Sequence, residues 1–359
     1  MGAPARKFLQ RRQALRIVSL FAVGLALSFG WIGWAAHRRS DALSLVEDLG
    51  GSVSTGPGLL LQHMPLGFRR WLDDRFSGYD WTRPLRRVTR VSLSGTEADD
   101  EDLRRIGVLN GLDSISLMGT DVTDSGLVSL GRIKGLRRVN LNETRVTGVG
   151  ARRMMCLNDD LEAIYFWNSG LVDAGLKELI PFSNLTILHA DTPYVTNEGV
   201  AHVGEMAALR AVIFASPLIT DDGLKPLSQL PRLGRLYLDN AKVKGDGMAS
   251  LRGLQELEEL SMRGASLTDE GVKHIGVLRE LVFLRLSETQ VTGNGLPHLN
   301  RLSKLESLYL DGTNVNDEDL LVLKQLPALR ALSVQRTKVT DSGVEEFQKA
   351  LGRRISVAF

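Results

Sequence analysis

The sequence predicts an α/β solenoid, in which short strand–helix units stack side by side, and one transmembrane helix that precedes the stack. Apolar residues recur with a period of 24 residues from residue 88 to about residue 352. Within each period, alternating apolar residues indicate a short strand, and apolar residues three apart indicate a helix. Ahead of the repeats, residues 17–36 form an uncharged run of 20 residues. A length of 359 residues would ordinarily suggest about two domains, but stacked units of this kind form a single elongated array.

The uncharged run at 17–36 has the length of a membrane-spanning helix. Its 20 residues would span about 30 Å, the thickness of a bilayer core. Five basic residues precede the run and two follow it. The positive-inside rule therefore predicts a single-pass cell-membrane protein with a cytoplasmic N-terminus and extracytoplasmic repeats. The alternative is a cleaved signal peptide, although the run is longer than the usual apolar region of such peptides.

The formal net charge of +2 is the sum of two unlike segments. Residues 1–40 contain seven basic and no acidic residues, so residues 41–359 contain 37 basic and 42 acidic residues, a net charge of −5. A mildly acidic main body disfavours nucleic-acid binding. The single cysteine excludes an intramolecular disulfide framework and an all-cysteine zinc site.

Eleven units share the pattern LxxLxLxxTxVTDxGLxxLxxLxx. Their starts are 24 residues apart, except for one step of 25 residues between the third and fourth units. The units begin at Val88, Leu112, Leu136, Leu161, Leu185, Leu209, Leu233, Leu257, Leu281, Leu305 and Leu329.

One unit illustrates the expected structure. The predicted core residues of the second unit are Leu112, Ile115, Leu117, Val122, Leu127, Leu130 and Ile133. Thr120 follows the strand, where its hydroxyl is expected to satisfy a neighbouring backbone group. Thr123 or Asp124 is expected to cap the short helix. A single unit cannot bury all of this apolar surface, so the units must stack.

This period and spacing resemble the leucine-rich repeat. The resemblance implies a right-handed horseshoe or arc with a parallel β-sheet on its concave side and short helices on its convex side. More narrowly, the TDxGL segments resemble those of bacterial membrane-anchored leucine-rich-repeat proteins. The repeat pattern is also similar to the cysteine-containing repeats of F-box proteins. Threonine mostly replaces the asparagine or cysteine usual there, and no F-box segment is found before the repeats.

Stacked repeats need caps, because the end units would otherwise expose their cores. Apolar residues between 42 and 49 predict a short amphipathic helix, and the segment 51–58 predicts a flexible loop. Trp71 is predicted to cover the open end of the first unit together with Leu72, Phe76 and Trp81. The predicted parts are a cytoplasmic basic tail (1–16), a transmembrane signal-anchor helix (17–36), a juxtamembrane segment and N-terminal cap (37–87), eleven leucine-rich repeats (88–352) and a C-terminal cap strand (353–359).

The middle five units depart from the pattern at the turn threonine. Ser169, Pro193, Pro217, Ala241 and Ala265 replace it there, and such departures are often found at functional sites. The third, fifth and seventh positions of each strand segment are expected to face the concave solvent side. In units 4 to 7 they supply the candidate partner-binding residues, which are Tyr165, Trp167, Ile187, His189, Asp191, Ile213, Tyr237 and Asp239. Exposed aromatic and apolar residues on adjacent strands indicate a binding patch, although β-propensity alone also explains tyrosine and isoleucine on strands.

We find no catalytic or metal-binding arrangement in the sequence. His202, His274 and His298 share one position on the helical side, but a zinc site needs three or four ligands close together. Neither a P-loop, nor HExxH, nor GxSxG occurs. Cys156 is predicted to be a small core residue, and the acidic run at 97–102 is predicted to serve a helix start. We therefore expect no enzyme activity, no cofactor and no metal.

These observations predict a membrane-anchored, non-enzymatic scaffold that binds an unknown protein or peptide through its concave face. Its other predicted partner is the lipid bilayer, through residues 17–36. A second interpretation is a self-associating envelope protein with inert repeat surfaces, since small residues at Ala22, Ala26 and Gly30 predict a weak homodimer through the anchor helix. A third is an intracellular adaptor similar to the F-box group.

Overall fold

The computed structural model describes residues 37–56, 64–75, 87–157 and 159–359. Within them, thirteen strands form one sheet whose spatial order follows the sequence. Strand β1 pairs antiparallel with β2, and every later pair of neighbours is parallel. The strands are β1 Ser52–Gly56, β2 Arg87–Ser92, β3 Ser114–Ser116, β4 Arg138–Asn140, β5 Ala163–Tyr165, β6 Ile187–Ala190, β7 Ala211–Phe214, β8 Arg235–Leu238, β9 Glu259–Ser261, β10 Phe283–Arg285, β11 Ser307–Tyr309, β12 Ala331–Ser333 and β13 Ser356–Ala358.

The predicted basic tail 1–16 and the predicted transmembrane segment 17–36 lie outside the described residues. The segment 17–36 includes the small residues that predict the homodimer. Among the residues that the structure describes, no helix has both the length and the apolar character needed to cross a bilayer. The position of the chain relative to a membrane therefore stays a prediction.

The same unit position aligns across each parallel strand pair. Ile115 of β3 pairs with Val139 of β4, which pairs in turn with Ile164 of β5, and all three side chains are fully buried. The predicted core of the second unit is confirmed, because Leu112, Ile115, Leu117, Val122, Leu127, Leu130 and Ile133 are all inaccessible to solvent. Full burial of each such leucine or isoleucine contributes about 2 kcal/mol. The stacked units thus share one continuous core.

Short helical segments form a second layer, in which the segments of adjacent units pack against one another. The α-helices of the units are Asp100–Ile106, Leu127–Leu130, Asp173–Leu179, Asn197–Val203, Asp269–Ile275, Asp317–Leu320 and Asp341–Leu351. Ala151–Leu157, Asp221–Gln229, Asp246–Gly253, Leu296–Arg301 and Leu321–Gln325 are 3₁₀ helices instead. The tighter winding of a 3₁₀ helix suits such short connections.

The prediction that Cys156 is a core residue is wrong. Cys156 lies in the 3₁₀ helix Ala151–Leu157, which has about three residues per turn. This spacing directs Ala151, Met154 and Leu157 toward the core, where all three are buried. Cys156 lies off that side of the helix and is exposed.

The N-terminal cap begins with a helix over residues 37–48, where the apolar spacing predicts one. Ala42 and Val46 of this helix are buried in the common core. The prediction of a flexible loop at 51–58 is wrong, because Ser52–Gly56 forms strand β1. Without β1, the backbone groups along the outer edge of β2 would lack partners, so the added strand protects that edge.

Trp71 lies in a second helix, Leu66–Arg75, and does not cover the first unit as predicted. Trp71 keeps 56% of its surface exposed and stacks on Phe68, with 5.7 Å between the ring centroids. Phe76 and Trp81 lie outside the described residues. The first unit is covered instead by the helix 37–48 and by β1, whose Val53 packs against the core.

In the six units that have it, the threonine after the strand closes a turn, as predicted. The Thr120 hydroxyl donates to the Leu117 carbonyl oxygen at 2.6 Å. Thr96, Thr144, Thr289, Thr313 and Thr337 make the equivalent bond in their own units. The preceding residue is left-handed, with φ of 67° at Gly119 and 55° at Glu143.

The Thr-Asp pair of the TDxGL segment connects neighbouring units. Asp124 does not cap its own helix, Leu127–Leu130, which has no side-chain cap. Its carboxylate instead accepts hydrogen bonds from the backbone N–H (3.3 Å) and the hydroxyl (2.5 Å) of Thr147 in the next unit. The prediction of helix capping by threonine is correct elsewhere, since Thr196 accepts the N–H of Glu198 at 3.2 Å.

Candidate binding surface

The parallel register brings four of the predicted site residues into one row across β5 to β8. Tyr165 pairs with His189, His189 with Ile213, and Ile213 with Tyr237. We call the sheet face that carries the third, fifth and seventh unit positions the open face. The eight predicted residues on it are the middle patch. They are Tyr165, Trp167, Ile187, His189, Asp191, Ile213, Tyr237 and Asp239, and none of them is buried.

The first half of the middle patch is aromatic and loosely held. The rings of Tyr165 and His189 meet edge to face, with 6.3 Å between their centroids. His189 Nε2 lies 3.9 Å from the Asp191 carboxylate, at the outer limit of an ion pair. Trp167 keeps 39% of its surface exposed. These side chains are therefore available to a ligand.

Tyr237, at the other end of the row, is held by a charged pair. Its hydroxyl donates to Glu259 Oε2 at 2.9 Å, and Arg235 donates to both oxygens of the same carboxylate at 2.7 and 3.1 Å. Burial and the hydrogen bond to Glu259 raise the pKa of Tyr237 to about 12. Burial acts to raise the pKa of Glu259, but the hydrogen bonds from Arg235 and Tyr237 outweigh it and lower that pKa. Glu259 is not among the predicted site residues. It holds the third position of unit 8, and Arg235 holds the same position in unit 7, so opposite charges at one position in adjacent units were the available signal.

Asp239 has a structural role in the sheet. Its Oδ1 accepts hydrogen bonds from the Ser261 hydroxyl (2.6 Å) and the Arg263 backbone N–H (3.0 Å). Burial raises the pKa of Asp239, and these two hydrogen bonds offset only part of that effect. Of the predicted site residues, Asp239 is thus the one least free to bind a partner.

Two consecutive units lack the left-handed turn residue. Thr192 and Ser216 precede Pro193 and Pro217, and neither has a positive φ, because a following proline favours extended backbone. Their hydroxyls donate to backbone carbonyl oxygens of the preceding unit, at 3.1 and 2.6 Å. The turns of units 5 and 6 therefore differ in conformation from those of their neighbours.

The residues that follow these prolines are exposed and apolar. Tyr194 keeps 55% of its surface accessible and Leu218 keeps 46%. They occupy the same unit position, which is held by Asp121 in unit 2 and by Arg145 in unit 3. The sequence pattern marks the prolines as irregular, but Tyr194 and Leu218 are not among the predicted site residues. The available signal was an apolar residue at a position that is polar in most other units.

A second aromatic group lies farther along the open face. Phe283 and Tyr309, which the sequence presents as isolated additions, come within 5.2 Å between ring centroids. The Arg285 guanidinium lies 5.4 Å from the Phe283 centroid and 5.1 Å from that of Tyr309. Since Arg285 already covers both rings, this group is less available than the middle patch.

The described part of the chain contains no group of three or more His, Cys, Asp or Glu side chains placed to hold a metal ion. Each of two helical-side histidines lies near a glutamate: His202 Nδ1 is 3.7 Å from Glu205, and His274 Nε2 is 3.8 Å from Glu270. Asp99 caps the helix Asp100–Ile106, which accounts for part of the acidic run at 97–102.

Comparison with known proteins gives a likeness in fold. No protein-family model matches the sequence, and no curated protein matches it either. The structure is similar to an internalin from Listeria monocytogenes, with a TM-score of 0.55 and 18% identity, over 76% of this chain and 86% of that one. It is also similar to a leucine-rich-repeat protein from Leptospira interrogans, with a TM-score of 0.50 and 18% identity, over 71% of this chain and 68% of that one. Together with the 24-residue period and the parallel sheet, these likenesses show that the chain has the leucine-rich-repeat fold.

Proposed function

We propose that this protein is a membrane-anchored, non-enzymatic scaffold that binds another protein or a peptide over the middle patch. Leucine-rich-repeat solenoids commonly serve as protein-binding scaffolds, because stacked units create a long and rigid surface. At a spacing of about 4.8 Å between neighbouring strands, the eleven strands β2 to β12 extend over about 50 Å. A surface of that length suits a macromolecular partner better than a small molecule.

The observation that carries the proposal is the row formed by Tyr165, His189, Ile213 and Tyr237 on four adjacent strands. The same row holds Ser116 and Asn140 on one side and Ser261 on the other. An aromatic and apolar segment between polar ones is typical of a binding surface. Aromatic residues also supply much of the affinity in protein interfaces.

The decisive experiment is a binding measurement with two matched double variants. A partner is first captured from the native source with the full-length chain and purified, and its affinity is then measured. We expect Trp167→Ala with Ile213→Ala to weaken binding at least tenfold, about 1.4 kcal/mol. The control, Phe283→Ala with Tyr309→Ala, removes two rings from the same face outside the patch and should change little. Unchanged affinity in the first variant would refute the proposed site.

The membrane part of the proposal is supported by the uncharged segment 17–36 and its flanking basic residues. A reporter enzyme that is active only outside the cytoplasm, fused after residue 60, tests it. We expect activity, and a fusion that lacks residues 17–36 should lose it. If a second reporter, one that is active only in the cytoplasm, works at the same fusion point instead, the repeats lie inside the cell.

A further inference from the structure

Asp191 differs from three other polar residues that occupy the same unit position. Asn142, Asp239 and Asp311 each accept the backbone N–H of the corresponding residue in the next unit, at 2.8, 3.0 and 2.9 Å. Asp311 also accepts hydrogen bonds from the hydroxyls of Ser287 and Ser333. These three side chains are thus occupied in holding the sheet together.

The Asp191 carboxylate makes no such bond. In the part of the chain that the structure describes, the one basic side chain found within 4 Å of it is that of His189, whose Nε2 lies 3.9 Å away. The side chain of Asp191 keeps 31% of its surface exposed. The difference coincides with the altered turn at Thr192 and Pro193, which immediately follows Asp191. A carboxylate with few partners and partial exposure is available to an external cation.

The surroundings of Asp191 favour a positively charged group. Trp167 occupies the same position in the adjacent unit, and the two strands stay paired there through the Asn168 N–H, which donates to the Asp191 carbonyl oxygen at 2.9 Å. The open-face positions of units 4 to 6 contain no lysine or arginine. They are Ala163, Tyr165, Trp167, Ile187, His189, Asp191, Ala211, Ile213 and Ala215. An incoming cation would therefore meet aromatic rings and a carboxylate, with no fixed lysine or arginine to compete for them.

We propose that Asp191 and the rings of Trp167 and Tyr165 bind an arginine or lysine side chain of the protein partner. This inference rests on the proposed function and specifies the chemistry of its ligand. The carboxylate supplies a charge-assisted hydrogen bond, and the indole and phenol rings attract a cation to their faces. Arginine suits the site better than lysine, because its planar guanidinium can pair with the carboxylate and stack on an aromatic ring.

Three blocked tripeptides test the chemistry with the full-length chain. They contain arginine, lysine or citrulline, which is a neutral analogue of arginine with nearly the same shape. Binding is measured by calorimetry at about 0.15 M salt, which screens attraction to distant charges. We expect the arginine peptide to bind at least about tenfold more tightly than the citrulline peptide, with the lysine peptide between them. Equal affinity for arginine and citrulline, or no binding of any peptide, would overturn the inference.

Two matched variants locate the effect. Asp191→Asn should reduce the affinity for the arginine peptide to that for the citrulline peptide. Asp311→Asn removes a charge at the same unit position on the same face and should leave the affinity unchanged. An equal loss of affinity in both variants would indicate non-specific attraction to the negative charge of the whole face, and it would overturn the proposed site. If the purified protein partner still requires Trp167 and Ile213 but binds Asp191→Asn normally, the patch is a binding site and this inference alone fails.

Discussion

The Asp269 carboxylate accepts two hydrogen bonds from Thr292, which lies one repeat farther along the chain. One comes from the backbone N–H at 2.8 Å and the other from the hydroxyl at 2.7 Å. The same pair of bonds joins Asp100 to Thr123, Asp124 to Thr147, Asp173 to Thr196 and Asp317 to Thr340. The aspartate at this position is therefore a connector between units, and its partner is the threonine that lies one position earlier in the pattern of the next unit.

Replacing this connector should destabilise the stack. We expect Asp269→Ala to lower the free energy of unfolding by about 2 kcal/mol, because Thr292 loses acceptors for a half-buried N–H and hydroxyl. Urea unfolding followed by circular dichroism measures the change. Asp222→Ala is the control, since Asp222 is an exposed helix-start aspartate to which no described residue donates a hydrogen bond. Equal destabilisation by the two substitutions would contradict the connector role.

The glycine of the same segment should be equally sensitive. A Cβ atom at Gly295 would lie 2.6 Å from Asp269 Oδ1, so Gly295→Ala must displace that carboxylate. We expect a loss of about 1–3 kcal/mol in thermal or urea unfolding. At Gly253 a Cβ would meet its nearest atom only at 3.9 Å. Gly253→Ala should therefore stay within about 1 kcal/mol of the parent chain.

Titration of Tyr237 tests the charged pair at the end of the middle patch. With its pKa raised to about 12, Tyr237 should ionise well above the ordinary tyrosine value of 10.0, as seen by ultraviolet difference absorbance. Because the pKa of Tyr237 is higher in the folded chain than in the unfolded one, the protonated hydroxyl contributes to the free energy of unfolding. That contribution is complete below pH 10 and is lost as the pH rises toward 12. Tyr237→Phe should abolish the late step, and Glu259→Gln should move it to lower pH. If the late ionisation step persists in Tyr237→Phe, it belongs to another residue.

Asp239 should behave in the opposite way to a stabilising carboxylate. Its pKa is raised above the ordinary aspartate value of 3.8, mainly by burial. Ionisation of Asp239 above its raised pKa therefore lowers the free energy of unfolding, and this penalty disappears when the carboxyl is protonated. We expect Asp239→Asn, which keeps an oxygen acceptor for Ser261 and Arg263, to melt at a higher temperature than the parent chain at pH 7. The difference should shrink as the pH falls through the raised pKa. A gain independent of pH would contradict this account.

The repeat pattern predicts the core and the register well, because each position recurs eleven times. Ile115 and Leu117 can be assigned to the core from alternation alone, and both are fully buried. The same regularity predicts that Tyr165, His189, Ile213 and Tyr237 share one face, and the strand register aligns them there. Which of these side chains are free cannot be predicted in this way, since the hydrogen bonds of Tyr237 and Asp239 depend on residues one unit away.

The wrong predictions fall where the period does not apply or where helix geometry changes. Strand β1 lies before the repeats, so no pattern reveals that Ser52–Gly56 pairs with β2. The core assignment of Cys156 fails because the helix around it has a three-residue turn. Tyr194 and Leu218 lie outside the strand positions from which the candidate site was drawn, so they were missed although their unit position is polar in most other units.

The connector is interrupted at three junctions, and two of these enclose the middle patch. Gly148 of unit 3, Gly245 of unit 7 and Gly293 of unit 9 occupy the aspartate position, so none of them supplies a carboxylate to the next unit. Gly148 and Gly245 lie on either side of the middle patch. Asp173, Asn197 and Asp221 supply the bonds within units 4 to 7. In a stack governed by nearest-neighbour coupling, weaker junctions separate segments that open together. Units 4 to 7 should therefore show a common rate of amide hydrogen exchange, and a ligand on the patch should slow exchange throughout that block and not beyond it.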